Sequence, residues 1–310
     1  MADISVGAAI GAGFELIRRR PISVLVWGAV VVGLQLLALA LFAPLYVAVY
    51  GAVLQGMANG GAPNVSALTS PQVRSLQGLS QLYNLVQLLV TAVVYCAVFR
   101  AVLHPERSAF AYLRIGAPEF FLVVLIIAAF IALFVGLLIL IIPTSIAIGV
   151  VVAMTHGGGA AALILLPIIM LAIVVAAIFI GLRFAFVGPM MVEDGKFHLF
   201  ESWTLTRGRV LSLFLVGLSL FAIFILIDIV LLAVLLAAGA VEVQSLGGLA
   251  QAMTQLRASP MALAGKLAPL IAAVAVVQIP IAGCLMAIGA APWARAYRDL
   301  LPPGAAQVFA

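Results

Sequence analysis

The stretch Phe120–Met154, FFLVVLIIAAFIALFVGLLILIIPTSIAIGVVVAM, contains no charged residue, and its only polar side chains are Thr144 and Ser145. A bilayer's hydrocarbon core takes about 20 apolar residues of helix. This stretch exceeds that, so it reads as a membrane-spanning helix. Five further apolar runs take the same reading: Ile22–Tyr50, Leu82–Leu103, Ala161–Val187, Val210–Ala238 and Leu267–Ala291. Polar, Gly/Asn/Ser-rich sequence from Gly56 to Gln81 separates the first two as a loop, and Thr155–Gly159 marks a turn.

Composition agrees. Of the 310 residues 66% are hydrophobic and only 8% are charged, where a soluble domain carries about a quarter. Lipid must supply much of the solvation. The start, MADISVGAAI, has no basic segment leading into an apolar core and cleavage site, so the first run is expected to be an uncleaved span. The net charge of +5 comes from bases in small clusters at helix ends, which argues for orientation in a membrane and against nucleic acid. Cys96 and Cys284 lie inside apolar runs, and no Cys/His spacing fits a metal site. No cofactor is expected.

The bases also set a topology. With the N-terminus inside, the cytoplasmic set is Arg18, Arg19, Arg20, Arg100, Arg107, Arg114, Arg183, Lys196, Arg207, Arg209, Arg295 and Arg298; the outer set is Arg74, Arg257 and Lys266. Every loop obeys the positive-inside rule in this order. The odd-numbered runs are longer than a bilayer requires, and Pro44 and Pro143 fall late in two of them. A break there, or an extension beyond the outer face, is expected.

A threefold pattern runs through the chain. Short amphipathic segments precede the odd spans. In the first, Val6, Ile10, Phe14 and Ile17 share a face opposite Glu15 and Arg19; in the second, Ala109, Phe110 and Leu113 cluster; in the third, Leu199, Phe200 and Trp203 cluster. Such segments are expected to lie in the headgroup plane. The even spans end on Arg100, Arg183 and Arg295, each followed by a proline: Pro105, Pro189 and Pro302. The expected fold is therefore all-α: a polytopic membrane protein of six transmembrane helices, arranged as three hairpins each preceded by a cytoplasmic interfacial helix. It forms a single membrane domain, 1–310, with pseudo-repeats at about 1–103, 104–188 and 189–310.

Three features offer chemistry. Arg100, Arg183 and Arg295 could converge at the cytoplasmic edge and hold anionic lipid headgroups by bidentate hydrogen bonds; the plainer alternative is that each snorkels and fixes helix depth. Asp228 is an acid inside an apolar run, a position that by default points to function. It stands about 28 Å of helix beyond Arg209, however, near the outer interface, and no second acid or histidine completes a relay. Gly283, Ala287 and Ala291 give the last span a small-residue stripe suited to packing inside the bundle. His104, His156 and His198 fall in loops, and enzyme signatures are absent: no His-Glu-x-x-His, no P-loop, no nucleophile elbow around Ser219.

At the fourth-to-fifth junction the chain reads Gly188-Pro189-Met190-Met191-Val192-Glu193-Asp194-Gly195, then Phe200-Glu201-Ser202-Trp203-Thr204-Leu205-Thr206-Arg207-Gly208. This resembles the Ser-Trp-x-Leu-Thr-x-Gly signature of a bacterial membrane family that includes the membrane domain of some glycerophosphodiester phosphodiesterases and stand-alone relatives. The match is carried by Ser202, Trp203, Leu205, Thr206 and Gly208. The phosphodiesterase activity of the fused members sits in a soluble barrel that this sequence does not contain, so the resemblance implies an envelope protein without catalysis. Physically, Trp203 suits an interfacial anchor, Thr206 a backbone cap, and Gly208 a bend into the fifth span.

The function expected from these readings is a non-enzymatic protein of the bacterial inner membrane, with both termini cytoplasmic. It would bind or organise membrane lipid, or a membrane-protein partner, at its cytoplasmic face. The rival is a transporter of a lipid or amphiphilic solute, which needs polar groups near the midplane. The spans offer few: Gln35, Gln87, Thr91, Ser219 and Gln278.

Overall fold

Ser5 begins the first helix: its hydroxyl accepts the Ala8 N–H at 3.4 Å, spending an otherwise orphaned donor. In the computed structural model, which describes residues 4–58, 71–106, 109–154, 159–196, 199–245, 248, 251, 254 and 260–301, the chain is 91% helical, and no strand occurs among the described residues. The helices are α1 (Val6–Arg19), α2 (Pro21–Ala58), α3 (Pro71–Leu103), α4 (Ala117–Met154), α5 (Gly159–Arg183), α6 (Val187–Asp194), α7 (Leu199–Leu205), α8 (Val210–Ser245) and α9 (Pro260–Leu300). Six of them, α2, α3, α4, α5, α8 and α9, include segments long and apolar enough to cross a membrane. The chain is a multi-pass membrane protein.

The spanning helices overrun the apolar runs. At 38 residues, α4 is about 57 Å long, against a hydrocarbon core of about 30 Å. Neither Pro44 nor Pro143 ends its helix. The excess length is helical extension, not a break. Likewise α3 starts at Pro71, inside the stretch expected to be loop, because Val73 and Leu76 are buried there. Helix α9 continues past Ala291 and Pro292 to Leu300.

First and last spans form the tightest pair, and glycine makes it so. A Cβ on Gly28 would overlap the Ile279 carbonyl oxygen, and one on Gly283 would overlap the Val24 carbonyl oxygen. Each glycine thus presents a Cα hydrogen to the opposite backbone, a weak hydrogen bond typical of close helix contacts. The stripe continues inward through Ala287 and Ala291, both fully buried, so it is an internal packing face. Helix α1 lies against the same face: a Cβ on Gly13 would come within 2.8 Å of Ile288 Cα.

This docking corrects the expected orientation of α1. Its buried face is Ala9, Gly13 and Leu16, whereas Phe14 is exposed. Small residues allow α1 to approach the bundle, and the large one is turned outward. The second expected interfacial helix is absent: Ala109–Tyr112 is a short turn in which Phe110, Ala111 and Tyr112 all have positive φ. Before the fifth span stand two helices, α6 and α7, where one was expected.

Packing is one-ended. One core cluster joins Leu16, Trp27, Ala97, Tyr112, Leu122 and Ala291; the other joins Ile4, Phe186, Met190, Leu213, Val216 and Tyr297. Both lie at the helix ends that carry Arg20, Arg100, Arg183, Arg209 and Arg295. Away from that end α4, α5 and α8 expose long apolar faces. Gly283→Ala and Gly28→Ala are each expected to lower stability in detergent by about 1–3 kcal/mol, since a methyl group must displace backbone. Gly33→Ala, with nothing within 4 Å, should be neutral or stabilising. Thermal unfolding of the three variants checks this, and identical behaviour would refute glycine-limited packing.

Candidate functional site

The segment from α3 to α4 is built around a buried ion pair. Arg100, in the last turn of α3, donates to Glu119 Oε1, and Glu119 is only 1% exposed. The other carboxylate oxygen accepts the Gly116 N–H at 3.0 Å. Glu119 stands three residues after Gly116, so this is the reciprocal half of a capping box, with Pro118 tolerated in the first turn. One carboxylate therefore starts α4 and pairs with the guanidinium in the last turn of α3. Sequence reading offered Arg100 as a candidate for an anionic headgroup, beside the plainer reading that it fixes helix depth; in the structure its guanidinium is paired with the Glu119 carboxylate.

The same arginine reaches the left-handed turn. Arg100 Nη1 donates to the Tyr112 carbonyl at 3.3 Å, and Trp27 Nε1 donates to the Ala111 carbonyl at 2.8 Å. The Tyr112 hydroxyl and Arg20 Nη2 both donate to the Pro105 carbonyl, at 2.9 and 3.1 Å. Three consecutive left-handed non-glycine residues cost about 1–2 kcal/mol each. Such a turn persists only where its surroundings over-determine it, and here four side chains hold it. Tyr112 is buried as a consequence, while Phe110 is thrown outward, 90% exposed.

At the second junction the structure brings together two expected features, Arg183 and the Ser-Trp-x-Leu-Thr-x-Gly motif. The Ser202 hydroxyl donates to the Arg183 carbonyl at 2.9 Å, satisfying an acceptor at the C-terminus of α5. The Arg183 guanidinium lies 5.0 Å from the Phe179 ring centroid and 5.1 Å from that of Trp203, a double cation–π contact. It also donates to the Trp203 carbonyl at 3.4 Å. Thr206, fully buried, donates to the carbonyls of Ser202 and Trp203. Gly208 has φ +80 and lets the chain turn into α8. Helix α6 fills the space behind: Gly188 leaves room for the Phe99 ring, and Gly195 at φ +71 closes the helix. Ser202, Trp203, Thr206 and Gly208 therefore each serve the geometry of the junction.

At the third, Arg295 Nε lies 3.0 Å from Asp299 Oδ1 within one helix turn. That approach is an ion pair without hydrogen-bond alignment, since the same nitrogen makes no hydrogen bond. Arg298 donates to the Val102 carbonyl at 3.2 Å, tying the end of α9 to the end of α3. Thus Arg100, Arg183 and Arg295 are each engaged by partners from the protein itself.

Asp228 is exposed on α8 and makes no hydrogen bond or ion pair among the described residues. No group of three His, Cys, Asp or Glu residues capable of holding a metal forms among the described residues. Cys96 and Cys284 are free thiols, and His156 and His198 lie outside the described residues. Sequence reading missed Trp27, Tyr112 and Glu119. For Glu119 a signal existed: Gly116-Ala117-Pro118-Glu119 directly before an apolar run has capping-box spacing. No family model, curated protein or solved structure matches the chain.

Removing one member of the Arg100–Glu119 pair leaves the other buried and uncompensated. Arg100→Gln and Glu119→Gln are each expected to cost about 3–5 kcal/mol. The double variant Arg100→Met/Glu119→Leu should be less destabilised than either. A double-mutant cycle read by denaturant or thermal unfolding in detergent checks this; additive losses would mean the two residues act independently.

Proposed function

We propose that this is a non-enzymatic protein of the bacterial inner membrane, with both termini cytoplasmic, that binds or organises membrane lipid at its cytoplasmic face. The observation that carries the reading is the state of the polar groups within the spans. Gln278 donates to Gln35 at 3.3 Å, and Tyr83 donates to Gln87 at 3.3 Å. Thr91 and Ser219 donate to carbonyls of their own helices, Gln87 and Leu215. The groups a transport path would need are turned onto one another or onto backbone. By contrast, the arginine-bearing end combines guanidinium groups with exposed apolar side chains, the pairing that anionic headgroups and acyl chains require.

The excess of bases at that end supports the cytoplasmic assignment, and the residues resembling the phosphodiesterase-associated membrane family support an envelope role. Organisation into three units, each an interfacial segment with a hairpin, belongs to the same proposal. Contacts of α2 with α3, α4 with α5 and α8 with α9 are compatible with it. An apolar hollow at Val135, Leu138, Ile139, Ile142 and Pro143 lies along α4 alone. It is a notch on a helix surface, not a passage between helices.

Lipid analysis of the purified protein, beside lipid profiling of a deletion strain, tests the reading. Anionic phospholipid is expected to copurify, with the distribution between leaflets unchanged in the deletion. A shifted leaflet distribution would favour transport of lipid. No enriched lipid and an unchanged profile would sink both readings in favour of a protein partner.

A further inference from the structure

Where α1 gives way to α2, an open groove of about 720 Å³ separates the α2 entrance from the left-handed turn. Arg19 and Arg20 stand at one edge; Ile22, Val26, Phe110 and Leu113 form the walls. We infer that this groove binds an anionic phospholipid, its phosphate on Arg19 and Arg20 and its first acyl segments against Phe110 and Ile22. This deepens the proposed function, on which it rests, by assigning the site and the lipid class.

The charges are available. Arg20 spends one N–H on the Pro105 carbonyl, which orients the guanidinium; its other donors meet no partner among the described residues. Arg19 pairs with Glu15 at 2.6 Å, but both side chains are largely exposed, at 69% and 47%. Such a surface pair contributes little and exchanges readily for another anion. A phosphodiester accepts two parallel N–H bonds from a guanidinium, a geometry a bulk counterion does not hold.

The apolar walls select among anions. Phe110 is 90% exposed and Ile22 76% exposed, so each presents nearly a whole side chain outward. A soluble phosphate could use the arginines yet gain nothing from these walls. A phospholipid uses both, because its charge and its hydrocarbon are adjacent in the same molecule. Phe110 dipping into bulk lipid without a specific site would give no reason for its placement across one groove from Arg19 and Arg20. The backbone adds a further reason: Phe110 at φ 49 is held in a strained conformation, and strain of this kind accompanies sites where a side chain must be aimed.

The test is native mass spectrometry of the full chain in detergent, titrated with phosphatidylglycerol, phosphatidylethanolamine or inorganic phosphate. The native protein is expected to prefer phosphatidylglycerol by about tenfold, the order expected for arginines at an anionic headgroup. Arg19→Gln/Arg20→Gln and Phe110→Gly should each lose that preference, whereas Arg207→Gln, on an exposed arginine elsewhere, should keep it. Because glycine adopts positive φ without strain, Phe110→Gly should unfold at the same or a higher temperature, separating lost binding from lost folding. Preference retained in all variants would overturn the groove as the site while leaving lipid binding at the cytoplasmic face standing. No preference in the native protein would overturn both. Displacement of phosphatidylglycerol by equimolar inorganic phosphate would overturn lipid as the occupant and assign a soluble anion.

Discussion

The bundle depends on the close approach of α2 and α9, the first and last spans. In lipid the hydrophobic effect does not drive helices together, because an acyl chain solvates leucine as well as another helix does. Association must come from tight van der Waals contact and from polar groups that find partners. Gly28 and Gly283 provide the first: with no side chain at either position, the Val24 and Ile279 carbonyls reach the opposing backbone directly. The pair is antiparallel and reciprocal, so a single crossing point fixes both helices. Helix α1 docks on α9 one turn further in, through Gly13 at Ile288. The remaining spans attach around this nucleus, chiefly at the end that carries the arginines.

That asymmetry follows from where polar groups must be satisfied. At the arginine-bearing end the chain leaves and re-enters its helices, exposing backbone carbonyls and amides that helices cannot satisfy alone. Arg100 and Trp27 cover carbonyls of the left-handed turn, Ser202 covers that of Arg183, and Arg298 covers that of Val102. Once these bonds are made, neighbouring helix ends are held at fixed separations, and a core forms among them. Along α4 and α8 no comparable demand arises. Their backbones are internally bonded and their apolar faces can meet lipid at no cost, so they need not pack.

The spans were legible because a run of some 20 apolar residues has almost no other stable outcome. The small-residue stripe at Gly283, Ala287 and Ala291 was legible for a related reason, since it recurs on one helical face. Helix ends were less so. Pro71–Gln81 looks like loop by composition, yet it continues α3 because Val73 and Leu76 find partners that only the tertiary structure reveals. The left-handed turn was not legible at all: Phe110, Ala111 and Tyr112 are poor candidates for positive φ, and what holds them there comes from Trp27 and Arg100, distant in sequence. Arg100 was identified as notable, but its partner was not, because the pairing with Glu119 bridges two helices across an irregular segment. The motif around Ser202, Trp203 and Thr206 was identified from its residue pattern. Only the structure shows that it closes back on Arg183.

The three junctions solve one problem by different means, and the differences bear on where a ligand can sit. A guanidinium already matched by a buried carboxylate, as at Arg100, has little charge left to offer. One held against two perpendicular rings, Phe179 and Trp203, as at Arg183, keeps its charge but has aromatic surface on one side. Arg295 lies along its own helix beside Asp299. The arginines at the end of α1 differ from all three: they stand where two helices part, beside an apolar wall, and among the described residues only an exposed glutamate and one carbonyl hold them. An ionic site open to exchange needs that combination of weak resident partners and a shaped neighbour. The strongest structural arginines of this fold are thus the weakest candidates for a ligand, and the loosely held pair before Pro21 is the stronger one.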